Sequence, residues 1–290
     1  MQRAFNGEPA PVLDVLDAPT GRSCQVRAWR PNVPGISEVF HAQIVDYGYP
    51  LHAHDTWTVL IIDAGAIRYD LDSRQCGISG CEWVAVLPPG VVHDGRPAEN
   101  APGFRKRNLY LDQSFLPLEL VGAAVDRTTL RDGQLRAALA HLHDGLEAGP
   151  EPLDAEARLA VIGERLNTHL SSSPRNASSV RGPEPVVALR LRRLLDDKAC
   201  DSITLAEAAR MLDRSVPHLV RSFTRTFGIS PHAYVIGRRV DSARGLLLAG
   251  MPPADVASAV GFYDQAHLTR HFKRHTSVTP AHYARSTPRH

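Results

Sequence analysis

The sequence predicts an α+β chain, with an N-terminal region of short strands closed by helices and a C-terminal all-α domain built from two helix-turn-helix units. Three observations carry this. Strand-like runs crowd residues 37 to 112, and a Ser/Pro/Gly-rich stretch divides the chain after them. Beyond that stretch one phrase occurs twice. HLVRSF at 218–223 returns as HLTRHF at 267–272, and the register holds outward: Arg225 with Arg274, Ser230-Pro231 with Thr279-Pro280, Tyr234 with Tyr283, Ala208 with Ala257, and Leu212 with Gly261. One register kept over such a length marks a duplicated structural unit.

Taken in order, the first strands are EVFHAQIVDY, TWTVLIID, AIRYDLD, EWVAVLP and RKRNLYLD, punctuated by Gly, Pro and Asp. Short strands at close spacing argue for a β-sandwich or small barrel over about 37–112. From 117 to 170 the pattern turns helical, with Pro152 as an entry signal and an apolar stripe of Leu159, Ile162 and Leu166 that could line a core or a dimer seam. Residues 171–185, SSSPRNASSVRGPEP, read as a linker between a domain at 1–170 and one at 186–287. In the second domain Thr204 and Glu207 form a capping box, and Ser215 is an N-cap with Pro217 in the first turn. Gly228 stops that helix, and a long connecting helix over 231–250 leads to the second unit. On the connecting helix Arg238, Arg239 and Arg244 are expected to point outward toward phosphates. Gly261 suits a turn with positive φ.

Composition narrows the function. No apolar run approaches the roughly 18 residues of a membrane span, and MQRAFNGEPAPVLDV has no apolar core of a secretory signal. Cys24, Cys76, Cys81 and Cys200 are too few and scattered for a disulfide framework, which favours a reduced, cytoplasmic setting. The net charge of +2 hides an asymmetry: from Val186 on, 16 Lys/Arg face 8 Asp/Glu, whereas residues 1–185 hold 17 against 23. A basic C-terminal third is the footprint of a phosphate-binding partner.

On a helical wheel of about 100° per residue, Val216, Leu219, Phe223 and Phe227 form a buried stripe. Arg214, His218, Arg221 and Arg225 gather opposite, and no acidic residue falls between Ser215 and Ser230. In the second copy Leu268 and Phe272 point inward, leaving Ala266, Thr269, Arg270, Lys273 and Arg274 outside, with nothing acidic after Asp264. Such helices can enter two successive major grooves about 34 Å apart, where arginine grips guanine edges or phosphates.

The stretch from about Val186 to Arg285, above all AVGFYDQAHLTRHFKRHTSVTPAHY, resembles the DNA-binding domain of the AraC/XylS family of bacterial transcription regulators. The resemblance implies base reading by Pro217, Val220 and Arg221 in the first unit and by Gln265, Ala266, Thr269 and Arg270 in the second. Ser215, at the same helix end, belongs to that interface. It also implies contact with double-stranded DNA, activation through RNA polymerase, and a homodimer, placed here in residues 117–170. The N-terminal region is similar to cupin-like sensor domains: GYPLHAH at 48–54 looks like the first cupin motif and PPGVVH at 88–93 the second. His52, His54 and His93 could hold zinc or another divalent metal with one open position, although the cupin carboxylate position is Thr58. The alternative stays open that no cofactor is bound and these histidines, with Trp57, Tyr69 and Trp83, line a small-molecule effector pocket. Competing with a ligand-controlled activator are a metal-dependent cupin enzyme with a DNA-tethering tail, disfavoured by Thr58, and a non-specific DNA coater, disfavoured by Gln265, Thr269 and Arg270.

Overall fold

Ten strands and ten α-helices follow one another in the computed structural model, which describes residues 24–72, 74–99, 101–149, 151–172, 183–199 and 203–285. The strands are β1 (Gln25–Trp29), β2 (Ile36–Ile44), β3 (Tyr49–His52), β4 (Trp57–Gly65), β5 (Ile67–Leu71), β6 (Arg74–Ser79), β7 (Val84–Leu87), β8 (His93–Pro97), β9 (Phe104–Leu111) and β10 (Thr129–Leu130). Around and after β10 come α1 (Val121–Asp126), α2 (Gly133–Ala148) and α3 (Pro152–Ser171). The helical half holds α4 (Pro183–Asp197), α5 (Leu205–Met211), α6 (Val216–Phe227), α7 (Pro231–Leu248), α8 (Pro253–Ala259), α9 (Gln265–Thr276) and α10 (Pro280–Arg285). Residues 173–182 of the expected linker lie outside the described residues, and α4 begins at Pro183, inside the stretch read as linker.

Antiparallel pairing gives two sheets, ordered β1-β2-β9-β4-β7-β10 and β3-β8-β5-β6. The larger sheet is apolar on both faces, which explains why WTVLII reads as a continuous hydrophobic run. Side chains alternate across a strand. Trp57, Val59, Ile61, Leu109 and Leu111 therefore face α2 and α3, where Leu135, Leu139, Leu142, Leu159, Ile162 and Leu166 complete one core. The α3 stripe thus belongs to the core of its own domain. His41 on β2 meets His143 on α2 across this seam, ring nitrogens 3.1 Å apart. The alternate residues, Phe40, Leu60, Ile62, Ala85, Leu87 and Tyr110, face the smaller sheet.

Strand β1 precedes the expected start of the strand region, and β3 and β8, which carry His52 and His93, escaped sequence reading. YPLH is short and begins near a proline; HDGRP is polar and lacks alternation.

The helical half obeys its local code. Thr204 and Glu207 form the capping box. The duplication also survives in three dimensions: Ser215 Oγ and Asp264 Oδ1 each accept from the backbone N–H three residues on, at 3.4 and 2.7 Å. Leu219 and Phe223 are as fully buried as Leu268 and Phe272. Gly228 and Ser277, at the same offset, close their helices in left-handed conformation with φ of 70° and 68°. Gly261 turns with φ 80° as its type suggested. No helix of the described residues is long and apolar enough to cross a membrane.

Candidate ligand cavity and nucleic-acid interface

Two sites emerge, joined by α7. The first is a cavity of about 50 Å³ between the sheets, roofed by α7 and the end of α9. Its floor follows from strand parity: Thr58 on β4 and Lys106, Asn108 and Tyr110 on β9 point inward, as does Phe40 on β2. Tyr69 reaches it from β5. His52 and His93 are register partners across β3 and β8, with ring centroids 4.5 Å apart, and His54 lies 4.7 Å from His52 and 5.3 Å from His93. Gly90 permits the second motif to close on the first. It sits at φ 70° with its N–H on the His54 carbonyl at 2.7 Å, and its own carbonyl accepts from Arg192 of α4 at 3.1 Å.

Trp57 and Trp83 stand outside the cavity lining. Trp57 is fully buried on the helix-facing side of β4, its indole N–H on the Leu116 carbonyl at 3.2 Å. One position separates it from Thr58, and that reverses the face. Trp83 sits in the turn ahead of β7. Cys24 and Cys81 are free thiols; the side chain of Cys76 and all of Cys200 lie outside the described residues.

Burial shapes the protonation here. It drops His93 to about 3, with His54 adding to the effect, and holds His52 well below the ordinary imidazole value. Burial also brings Lys106 down to about 7, assisted by the Arg244 guanidinium. No ion pair joins Lys106 to a carboxylate among the described residues; its ammonium lies 4.1 Å from the centre of the Tyr49 ring. Tyr49, Thr58 and Asn108 each leave a buried oxygen without a hydrogen-bond partner. A buried polar group without a partner costs about 1–3 kcal/mol, so these oxygens can take hydrogen bonds from a molecule that enters the cavity.

The roof corrects the outward placing of two arginines. Arg238 and Arg244 are buried. Arg244 donates to Glu38 on β2 at 2.6 Å and to the Tyr283 hydroxyl at 3.0 Å, while Tyr283 donates to the same Glu38. Arg238 pairs with Asp55 and, at 3.3 Å, with Asp196. Arg239 is half-buried and donates to the Ala199 carbonyl at 2.8 Å. Asp241 accepts from the His54 ring at 2.9 Å. These carboxylate partners lie far off in sequence, which is why a helical wheel alone turned the arginines to solvent. Lys106, Asp241 and Arg244 are cavity residues that sequence reading missed, and only inward strand parity could have flagged Lys106.

The second site is the pair of exposed helix faces. Arg214 and Ser215 stand at the entrance of α6, Pro217 in its first turn, and Arg221 and Arg225 along its exposed side, with His218 and Val220 half-buried. On α9, Gln265, Ala266, Arg270, Lys273 and Arg274 are exposed and Thr269 is half-buried. They share a shallow groove with Tyr47, whose hydroxyl donates to the Lys273 carbonyl at 3.2 Å and to that of Arg274. The strand domain therefore touches the cationic face of α9 directly.

Comparison with known proteins matches each half of the chain to a family model. Residues 34–162 match the model of an AraC-like ligand binding domain and residues 208–286 that of a helix-turn-helix domain. The chain is 33% identical over 230 residues to the HTH-type transcriptional regulator YbfI of Bacillus subtilis (strain 168), covering 76% of this chain and 81% of that one. It is 30% identical over 93 residues to the virulence regulon transcriptional activator VirF of Yersinia enterocolitica, covering 32% of this chain and 34% of VirF. The fold resembles the crystal structure of ToxT from Vibrio cholerae O395, with TM-score 0.54 and 12% identity over 92% of this chain and 98% of that one.

Proposed function

The chain belongs to the AraC family of helix-turn-helix transcriptional regulators, and from that premise we propose how its parts divide the work. The cavity under α7 receives a small polar effector, while α6 and α9 read DNA. Arg221 on the first helix and Gln265, Thr269 and Arg270 on the second make base contacts; Arg214, Arg225, Lys273 and Arg274 hold phosphates, which position without specifying. Pro217, Val220 and Ala266 offer apolar contact to thymine methyls.

One observation carries this reading: α7, the helix connecting the two recognition units, is also the roof of the cavity. Asp241 and Arg244 on that roof hold His54 and Glu38 of the strand domain. An effector that changes the roof changes the geometry of both readers. At about 50 Å³ the cavity is far below the roughly 300 Å³ of common ligand pockets, so a larger effector parts α7 from the strands as it binds. The protein works in the cytoplasm without catalysing a reaction, as a homodimer through 117–170 that activates by contacting RNA polymerase. Since the Leu159 stripe is internal, the dimer uses the exposed side, where Leu118, Leu153 and Val161 stand in solvent.

Selection of duplexes from a random pool by the purified full chain tests the reading. Two enriched half-sites about one helical turn apart are expected, with preference altered by the effector. Binding without sequence preference, governed by salt alone, would overturn it.

A further inference from the structure

We propose that His52, His54 and His93 form a zinc-class metal centre whose outer shell is completed by the DNA-binding half through Asp241. Three ring nitrogens, one from each histidine, lie within 4.8 Å of one another. Around a tetrahedral zinc they would stand about 3.4 Å apart, so no pair has to close by more than about 1.4 Å. The outward contacts settle which nitrogen is available. His52 Nδ1 lies 2.6 Å from the Pro50 carbonyl and His93 Nδ1 3.0 Å from the Val91 carbonyl. His54 Nδ1 lies 2.9 Å from Asp241 Oδ1. A carbonyl or carboxylate can only accept, so in these contacts Nδ1 donates and Nε2 is left for a metal; His54 Nδ1 also lies 3.5 Å from the Arg244 guanidinium, a weaker contact than the one to Asp241. Imidazole held by its other nitrogen on a carbonyl or carboxylate is the usual outer arrangement of a metal-binding histidine.

Three neutral imidazoles suit zinc and its neighbours in the first transition row. The three histidines line a cavity of ion-and-water size in which Thr58 and Asn108 carry unpartnered oxygens. Thr58 stands where the cupin resemblance places a carboxylate, and without one a bound metal would be completed by water or by a donor atom of the effector.

Two of the three outer contacts are local, two residues away in sequence; the third spans 187 residues and crosses from the strand domain to α7. At Gly237, one turn before Asp241, α7 lies against His52: a Cβ there would stand 3.5 Å from the Cβ of His52, in contact, and a branched side chain would reach further into it. Metal binding and roof closure are therefore linked, and linkage is reciprocal. A closed roof fixes the His54 ring and tightens the metal; the metal fixes His54 and steadies α7.

The experiment uses the full chain stripped with EDTA and titrated with cobalt(II), whose visible bands report tetrahedral coordination, then with zinc in competition. One metal per chain is expected. His93→Gln should lose the tetrahedral bands. Asp241→Asn should bind 10- to 100-fold more weakly, and zinc should slow amide hydrogen exchange across Pro231–Leu248 in the unaltered chain more than in this variant. Gly237→Val, which keeps every polar group but crowds His52, should weaken binding in the same direction, and it stands in if Asp241→Asn fails to fold. Failure of the unaltered chain to take up one equivalent removes the metal centre. Unchanged affinity in the folded variants removes the link to α7. Neither result touches sequence selection by α6 and α9, which is measured on DNA.

Discussion

The two helix-turn-helix units are near copies in their local code and unlike in their surroundings. Both have a polar N-cap, a fully buried Leu and Phe, and a left-handed residue closing the recognition helix. The first nevertheless packs into a core of its own, with Leu191 and Leu195 of α4 and, among the described residues, only Ala53 and Val92 from the strand domain. The second shares a continuous core with the cavity: Leu268, Phe272 and Tyr283 belong with Phe40, Leu60 and Tyr110. Duplication copied the residues that build each unit, while the tertiary neighbours decide which unit senses the cavity. The second is the unit packed against the cavity.

The sharpest way to break this contrast is to open each core. Phe272→Ala and Phe223→Ala should each cost about 3–5 kcal/mol in urea titration. Only the first should also disturb the cavity, read as altered fluorescence of an effector or of a bound probe; equal disturbance would erase the distinction. Nearly as large is Arg244→Met, which leaves the buried Glu38 carboxylate without its arginine and with the Tyr283 hydroxyl still donating to it, at about 3 kcal/mol. The comparable contact of the first unit, Arg192 to the Gly90 carbonyl, should cost about 1 kcal/mol when removed as Arg192→Met.

Acid separates the regions too. Burial, countered in part by Glu147, lowers His41 to about 4, and burial holds its partner His143 well below the ordinary value. Both are neutral in the folded chain, whereas the unfolded chain protonates them below about 6.5. Their contribution is therefore whole above pH 6.5 and is lost as pH falls toward 4. For His41 the loss is on the order of 3 kcal/mol. Melting followed from pH 7.5 to 4.5 should show the strand domain weakening before the first helical unit; a flat profile would contradict the burial argument.

Smaller effects probe the readers. Arg270→Ala and Arg221→Ala should each lose about 1–3 kcal/mol at one base position and relax preference there, in separate half-sites, as measured on a panel of single-base variants. The smallest test compares caps: Ser215→Ala and Asp264→Ala should cost about 1 kcal/mol each, with the Asp264 change the larger because its bond is shorter.

What could be read in advance was what is written locally. The repeat, the capping box, the Gly261 turn and the burial of Leu219, Phe223, Leu268 and Phe272 depend on neighbours within a few positions, and they stand as expected. The three histidines were visible because their motifs fix spacing, and the strands flanking them were not, since YPLH and HDGRP carry no alternation. β1 was legible and overlooked, for QVRAW alternates exposed Gln25 and Arg27 with buried Val26 and Ala28. Trp57 was misplaced by the single step that separates two faces of one strand. Arg238 and Arg244 depended on Asp55 and Glu38, some 180 to 200 residues distant, and no helical periodicity carries that information.

The narrowness of the chamber beneath α7 has a kinetic consequence. A compound too large for the closed chamber cannot be admitted faster than the ceiling lifts, however concentrated it is. Its observed association rate should climb with dose and then level off at the opening rate of the helix. That plateau should be shared by chemically unrelated compounds that need the same opening.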